Sequence, residues 1–416
     1  MYCPEAGIVR RNHSFQCAED ENVLMINIAF IMNGAKPPRG GEFLTLYLIT
    51  HLRRDIFSPI LVYAVEGIIV REIRKTGIET VQIPLGDKMT SIYPREIKLY
   101  NPVFILGFLW NVILSGSVFR LNRLLKRNNI QLMYCADNLS KLIGGIAGKM
   151  AGIKVVAPCH DDFKEDMLGK TMRVFYLLLL DRILAVSGKV KKFFTRNGCV
   201  SEKVVTVYNG INAETFNPEN VKDDVRAEIG LNQDAIVIGN IGVLESDKGH
   251  KYLFEAMAKL KSEGVSGITC IVCGTGPEEE TLKNIVVGKG LVDQVLFLGF
   301  RDDIPRILKA LDIIVITSLT IESFSMIAVE GMAMKVPVIA TNVGGLPEVV
   351  DNGRTGILIP PGDIDALCES IRFLVNNPDE RLRMGENGRA RVLERFTVEE
   401  NARKTEGVFL EVLGGA

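Results

Sequence analysis

Asp312-Ile-Ile-Val-Ile316-Thr-Ser-Leu-Thr-Ile-Glu322-Ser-Phe-Ser-Met-Ile-Ala-Val-Glu330 holds more of the fold than any other stretch of the chain. The uncharged run 313–316 reads as a strand buried on both faces, as in parallel sheets. A polar loop follows, and a helix is expected over 324–334. Glu330 falls inside that helix on an otherwise apolar stretch. A carboxylate buried there requires a partner. Ribose hydroxyls are one such partner, because a carboxylate accepts several hydrogen bonds. Glu322, in the loop, is placed to grip sugar hydroxyls or to stabilise charge. The first backbone N–H groups of the helix, at Ser325, Met326 and Ile327, suit a phosphate. A turn glutamate and an exposed helix glutamate explain the same residues, and this segment alone does not separate the two readings.

The strand–loop–helix unit recurs on both sides of this stretch. Strands are expected at 235–241, 268–273, 295–298, 338–340 and 357–359. Helices are expected at 251–261, 278–287, 303–308, 347–350 and 365–375. Earlier in the chain, strands are expected at 23–32, 60–64, 132–135, 153–157 and 183–186, with a helix over 42–52. Such alternation makes an α/β protein whose parallel sheets are covered on both faces. The turn-rich segment 208–224 is the expected link. The resulting division is an extension at 1–22, a first domain at 23–207, a second at 208–395, and a C-terminal helix at 396–416 that packs back across the junction. Residues 1–22 lack an apolar signal-peptide core, and Met25 is an alternative start.

Composition bounds the function. A chain of 416 residues exceeds one ordinary core, so two domains are the default. With 49 basic and 50 acidic residues the chain has no global field to attract nucleic acid. Of eight cysteines, Cys270 and Cys273 have metal-type spacing. No second pair completes a zinc set, and a strand would point the two to opposite faces. Structural thiols in a reducing, cytosolic compartment are the expectation. The uncharged stretch 102–119, which contains Trp110, reads as a buried or groove-lining helix, a membrane-resting surface or a span. Arg120, Arg123, Lys126 and Arg127 follow it.

Other candidates are loops. In Gly242-Val-Leu-Glu-Ser-Asp-Lys248-Gly249, a lysine just before a helix offers a mobile positive charge to a diphosphate. The P-loop order is absent, and a surface lysine is the plain alternative. Gly274-Thr-Gly276-Pro277 and Gly344-Gly345-Leu-Pro347-Glu348 are glycine turns after strands. Gly40-Gly41 lacks the G-x-G-x-x-G order, so a nicotinamide cofactor gains no support. His160 follows a strand and precedes Asp161-Asp162. A histidine there faces a ligand or fills a structural role, and two adjacent aspartates do not argue for a metal.

Taken in order, the motifs form a series. They are Ala185-Val-Ser187, Val207-Tyr-Asn209-Gly210-Ile211, Gly242-x-Leu244 with Lys248-Gly249, Gly274-x-Gly276-Pro277, and Phe297-x-Gly299-Phe300. Then come Ala310-x-Asp312, Glu322-x7-Glu330, Pro337-Val-Ile-Ala340, Gly344-Gly345-x-Pro347-Glu348 and Gly353-x-Thr355-Gly356. This series resembles the large group-4 family of retaining glycosyltransferases. The resemblance implies the GT-B fold, two Rossmann-like domains facing each other across a cleft. It implies that Lys248 contacts the donor diphosphate, Glu330 the ribose and Glu322 the transferred sugar. Gly40 and Gly41 then approach the donor phosphates, and Gly274 belongs to the donor-binding loops. Arg301 borders the nucleobase, and His160 lies near sugar and acceptor as a catalytic candidate with Glu322. It implies no metal and no cofactor beyond a UDP- or GDP-linked sugar as substrate. The acceptor is a glycan or lipid-linked molecule in cell-surface polysaccharide or glycolipid synthesis. The protein is then cytoplasmic, or peripheral at the cytoplasmic membrane face. A sugar-nucleotide epimerase of the same architecture and a non-catalytic nucleotide-sugar binder are the competing readings. The sequence departs from the family at Val243, where arginine is usual, and at Thr317, Gly331 and Lys335, where proline, alanine and glycine are frequent. Met133–Asp137 also lacks the usual histidine pair.

Overall fold

The computed structural model describes residues 25–34, 40–84, 116–160, 167–223, 225–232, 235–320 and 322–414, with side chains left out at 167–172. The expectations for 1–22, for most of 102–119 and for Asp161-Asp162 lie outside the described residues. Among the described residues, chain contacts define two units, one of residues 25–186, 190–207 and 401–414, the other of 187–189 and 208–400. Among the described residues no helix is long and apolar enough to cross a membrane.

The first unit holds a seven-stranded parallel sheet. Its strands are β1 (Ile26–Met32), β2 (Phe57–Tyr63), β3 (Glu79–Gln82), β4 (Leu132–Cys135), β5 (Lys154–Cys159), β6 (Arg182–Ala185) and β7 (Val204–Thr206), in the order β3-β2-β1-β4-β5-β6-β7. The helix Asn138–Ala151 begins with a capping box. Asp137 Oδ1 accepts from Ser140 N at 3.0 Å, and Ser140 Oγ accepts from Asp137 N at 2.9 Å. Phe409, from the C-terminal helix Val398–Leu413, is fully buried in this unit. Its ring stands edge-on to those of Phe30, Phe57 and Tyr134, with centroids 6.5, 6.1 and 6.2 Å away. Glu406 of the same helix accepts from the Arg53 backbone N–H at 2.7 Å and from its Nε at 2.9 Å.

The second unit holds a six-stranded parallel sheet of β8 (Ile236–Ile241), β9 (Ile268–Cys273), β10 (Val295–Gly299), β11 (Ile313–Ile316), β12 (Val338–Thr341) and β13 (Gly356–Ile359), in the order β10-β9-β8-β11-β12-β13. In both sheets the order reverses beside the first strand, at β1/β4 and at β8/β11. These are the switch points where open α/β sheets take ligands.

Several boundaries differ from expectation. The helix expected from 42 starts at Gly40, because the first N–H groups of a helix need no intrahelical partner and tolerate glycine. The helix expected from 324 starts at Met326, because Phe324 turns into the core against Tyr208 and Phe396, with centroids 6.0 and 5.7 Å away. The edge strands β3 and β7 and the helix Pro378–Arg395 went unread. The last is strongly polar and buries only Met384, Gly385, Gly388 and Val392, too sparse a stripe to signal a helix.

Lys335 ends the helix Met326–Ala333 in the left-handed region at φ 62°. Val336 N donates to Gly331 O at 2.9 Å, the bond of a Schellman turn. The glycine frequent here in the resembled family would meet that geometry without strain.

Candidate functional site

Three loops converge at the C-terminal edge of the six-stranded sheet. The first leaves β8. Gly242 N donates to Cys273 O at 2.9 Å and Leu244 N to Thr275 O at 3.1 Å, which seats the loop on residues 273–276. A Cβ at Gly274 or Gly276 would collide with the Gly242 or Leu244 carbonyl oxygen. Both glycines are therefore required by backbone approach, whatever else Gly274 touches. The loop then passes over the end of β11. Leu319 N donates to Asp247 O at 2.8 Å, and Thr317 Oγ1 to Lys248 O at 3.0 Å. Gly249 adopts φ 66° hard against the Thr317 carbonyl.

This path delivers Lys248 to the second loop. Its Nζ lies 2.7 Å from Glu322 Oε2, to which Ser318 Oγ also donates at 3.0 Å. The lysine side chain is 29% exposed and the glutamate 13%, so the pair is shielded and still reachable. The third loop, after β12, props up the second. Gly345 N donates to Glu322 O at 2.6 Å, and a side chain at Gly344 would strike that carbonyl. The Gly344-Gly345 pair thus fixes the backbone that aims Glu322.

Beyond Glu322, the helix Met326–Ala333 starts at Ser325 with no side-chain cap. Its first N–H groups, at Met326 and Ile327, are left for another acceptor. Glu330 follows one turn on. It is half-buried, and no described residue donates a hydrogen bond to its carboxyl. Burial pushes its pKa up to about 7.

Arg301 is heavily engaged. Its Nε and Nη2 donate to the two Asp303 carboxylate oxygens at 2.7 and 2.6 Å, and its Nη1 to Glu228 at 3.0 Å. Arg306 closes the box onto the same two carboxylates. The edge of the Arg301 fork is committed, leaving its flat face. Beside it Phe300 is 59% exposed, turned outward by a bulge in β10 and by left-handed Gly299.

Two residues escaped the sequence reading. His250 is buried, with Nε2 3.0 Å from the Val243 carbonyl and Nδ1 against Asn240 Oδ1. Asn240 Nδ2 donates to Val315 O at 2.9 Å. The ring pins the 242–249 loop, and burial holds its pKa below the usual histidine range. Glu348, read as a helix-start residue, accepts from Gly188 N, Lys189 N and Tyr208 OH at 2.7, 2.8 and 3.1 Å. Neither had a distinguishing local pattern.

The remaining sequence candidates belong to the first unit. Gly40 and Gly41 open the helix Gly40–His51 after β1, and His160 follows β5. Val243 is 47% exposed. Cys270 and Cys273 are buried free thiols. Burial pushes Cys273 up to about 12 and raises Cys270 as well. Among the described residues no group of three or more His, Cys, Asp or Glu is placed to hold a metal ion.

Two Rossmann-type sheets, the second carrying a Lys–Glu pair at its switch point, define the GT-B class of fold. The model described as "Glycosyltransferase Family 4" matches residues 39–215, and that described as "Glycosyl transferases group 1" matches 221–391. Each half of the chain is thus similar to glycosyltransferases of this group. Among solved structures, a Rickettsia africae glycosyltransferase is 23% identical with TM-score 0.77, covering 94% of this chain and 100% of that one. The Anabaena protein HepE in complex with UDP is 21% identical with TM-score 0.76, covering 93% and 100%. The N-acetyl-alpha-D-glucosaminyl L-malate synthase of Bacillus anthracis is 30% identical over 213 residues, 51% of this chain and 55% of that protein. The UDP-Gal:alpha-D-GlcNAc-diphosphoundecaprenol alpha-1,3-galactosyltransferase of Escherichia coli is 26% identical over 311 residues, 71% of this chain and 79% of that protein. The chain spans about half the length of several curated relatives it matches.

Proposed function

We propose that this protein is a retaining glycosyltransferase that moves a sugar from a UDP- or GDP-linked donor to a glycan or lipid-linked acceptor. The observation that carries the reading is the Lys248–Glu322 pair at the β8/β11 switch point. In a nucleotide sugar, phosphate and sugar are covalent neighbours. A cation for the one and a carboxylate for the hydroxyls of the other are the matching groups, and here they stand 2.7 Å apart.

In this reading Lys248 neutralises the leaving diphosphate, helped by the N–H groups near Ser325, Met326 and Ile327. Glu322 holds the sugar and Glu330 the ribose. The flat face of Arg301 borders the base. Gly274 shapes the loop beneath the phosphates, while Gly40, Gly41 and His160 supply the phosphate, sugar and acceptor contacts of the first unit. The sugar carbon loses its bond to the diphosphate oxygen and gains one to the acceptor oxygen on the same face. The acceptor proton passes to the leaving phosphate. No step calls for a metal.

The Anabaena relative was solved with UDP and with UDP-glucose, and the Escherichia coli relative is named for a UDP-galactose donor. These properties of other proteins favour UDP. Calorimetric titration with UDP, GDP and their sugars, followed by a turnover screen, tests the reading. Failure of the folded protein to bind any nucleotide sugar ends it, and epimerisation without transfer replaces it. Placement at the cytoplasmic membrane face rests on Arg120, Arg123, Lys126 and Arg127, all exposed on the helix Ser117–Arg127 beside Phe119, itself 56% exposed. Absence of co-sedimentation with anionic liposomes removes that placement.

A further inference from the structure

The chain enters the second unit twice, first with residues 187–189 and again from Tyr208. One side chain, Glu348, holds both stretches. Its Oε2 accepts from Gly188 N at 2.7 Å and from Tyr208 OH at 3.1 Å, and its Oε1 accepts from Lys189 N at 2.8 Å. The two backbone donors open the helix Gly188–Arg196, where N–H groups lack an intrahelical partner and an anion is favoured. A Cβ at Gly188 would stand only 3.1 Å from Oε2, so the close approach depends on residue 188 having no side chain. Glu348 is fixed through its own backbone as well. Arg391 donates to the Glu348 and Val349 carbonyl oxygens at 2.9 and 2.8 Å.

Two short paths lead from this clamp to Glu322. The first runs through Gly345, three residues before Glu348. Gly345 N donates to Glu322 O at 2.6 Å. A Cβ on Gly345 would stand 2.4 Å from Ser323 O and 3.2 Å from the Cβ of Ser187. The glycine is therefore packed between the 187–189 stretch and the Glu322 loop, and close packing passes a shift of one to the other. The second path runs through Tyr208. Its ring stacks on Phe324, with centroids 6.0 Å apart, and Phe396 stands edge-on to both at 5.4 and 5.7 Å. Phe324 is 8% exposed and lies two residues beyond Glu322, so the aromatic group anchors the far side of the same loop. The Lys248 loop is seated separately, on residues 273–276 and on His250.

We propose that Glu348 is a positioning residue for sugar transfer, setting the aim of Glu322 through Gly345 and through the Tyr208–Phe324 stack. This rests on the reading of Glu322 as the carboxylate that holds the sugar. It assigns the diphosphate and the sugar to separately anchored loops, so damage at Glu348 reaches turnover and spares nucleotide affinity.

The test is a double-mutant cycle on the full chain. Its probe is the nucleotide sugar that the wild-type protein hydrolyses fastest among UDP-glucose, UDP-galactose, UDP-N-acetylglucosamine and GDP-mannose. Glu348→Gln leaves one oxygen for three donors and should lower kcat about tenfold, with affinity for the free nucleotide within about threefold. Tyr208→Phe keeps the ring stack, loses only the hydroxyl contact, and should lower kcat about threefold. In a Glu322→Gln background each change should cost less than about twofold, because the group being positioned is already gone. A merely structural role gives the same factor in both backgrounds, so undiminished effects there overturn the proposal. So does unchanged kcat in Glu348→Gln, or a loss of nucleotide affinity equal to the loss of kcat. Should Glu348→Gln fail to fold, the cycle with Tyr208→Phe decides alone. Full turnover by Glu322→Gln itself, or hydrolysis of none of the four sugars, would instead remove the sugar role of Glu322, and this role with it.

Discussion

Lys248 and Glu322, 74 residues apart in the chain, meet at 2.7 Å because the 246–249 loop is hydrogen-bonded across the end of β11. The pair predicts a division of labour. Lys248→Ala should weaken UDP binding about tenfold or more, the loss of a charge-assisted contact. Glu322→Gln should leave UDP affinity within a few-fold and lower turnover of the UDP-sugar. Calorimetry with UDP and steady-state rates separate the two. Equal loss of UDP affinity in both variants would mean that the pair acts only as a structural clasp.

Glu330 predicts two opposed pH dependences. Its carboxyl is raised to about 7 in the folded chain against 4.5 for the free group. The folded state therefore holds more protons between these values. Its contribution is fully present below about 4.5 and lost as pH rises through 7, at most roughly 3 kcal/mol. Ribose hydroxyls donate to the ionised form, so donor affinity should climb with pH up to about 7 while donor-free stability falls. Denaturant melts and UDP titrations between pH 5 and 8 check both (approximate assay limits). Glu330→Gln should flatten both curves.

Lys335 predicts a stabilising substitution. A side chain at φ 62° costs about 1 kcal/mol or more, and the Lys335–Glu386 ion pair at 3.0 Å is exposed enough to offset little of it. Lys335→Gly should raise stability by about 0.5–1 kcal/mol, less than the strain because glycine gains freedom when unfolded. A denaturant midpoint shifted downward would contradict this.

Two glycines predict contrasting outcomes. Gly249→Ala places a Cβ against the Thr317 carbonyl at a left-handed position, and should cost roughly 2 kcal/mol or more while displacing Lys248. A Cβ at Gly41 meets no described atom within 4 Å. Gly41→Ala should hold or raise stability by up to about 1 kcal/mol through helix propensity. If phosphates approach this glycine, the same variant should turn over donor more slowly. Melting curves and turnover read the two separately.

The strands of the second sheet were readable because each is a short apolar run bounded by glycine or polar residues, the pattern of a strand covered on both faces. Lys248, Glu322 and Glu330 were readable as types in loops and helix starts. Their placement was less so, since the Lys248–Glu322 bond depends on a loop crossing that no local pattern encodes. The edge strands β3 and β7, of four and three residues, are too short to show a period. His250 was hidden because a buried histidine that pins a carbonyl has the same one-letter signature as a surface one.

Phe409 seats between Phe30 and Phe57, more than 350 residues upstream. As the polypeptide leaves the ribosome, the first sheet has its strands long before it has this ring. Its apolar face lacks this ring until more than 350 further residues have been made. Completion of the first core therefore waits on a contact far downstream in the chain, a long-range step that leaves its apolar face without this ring in earlier folding intermediates.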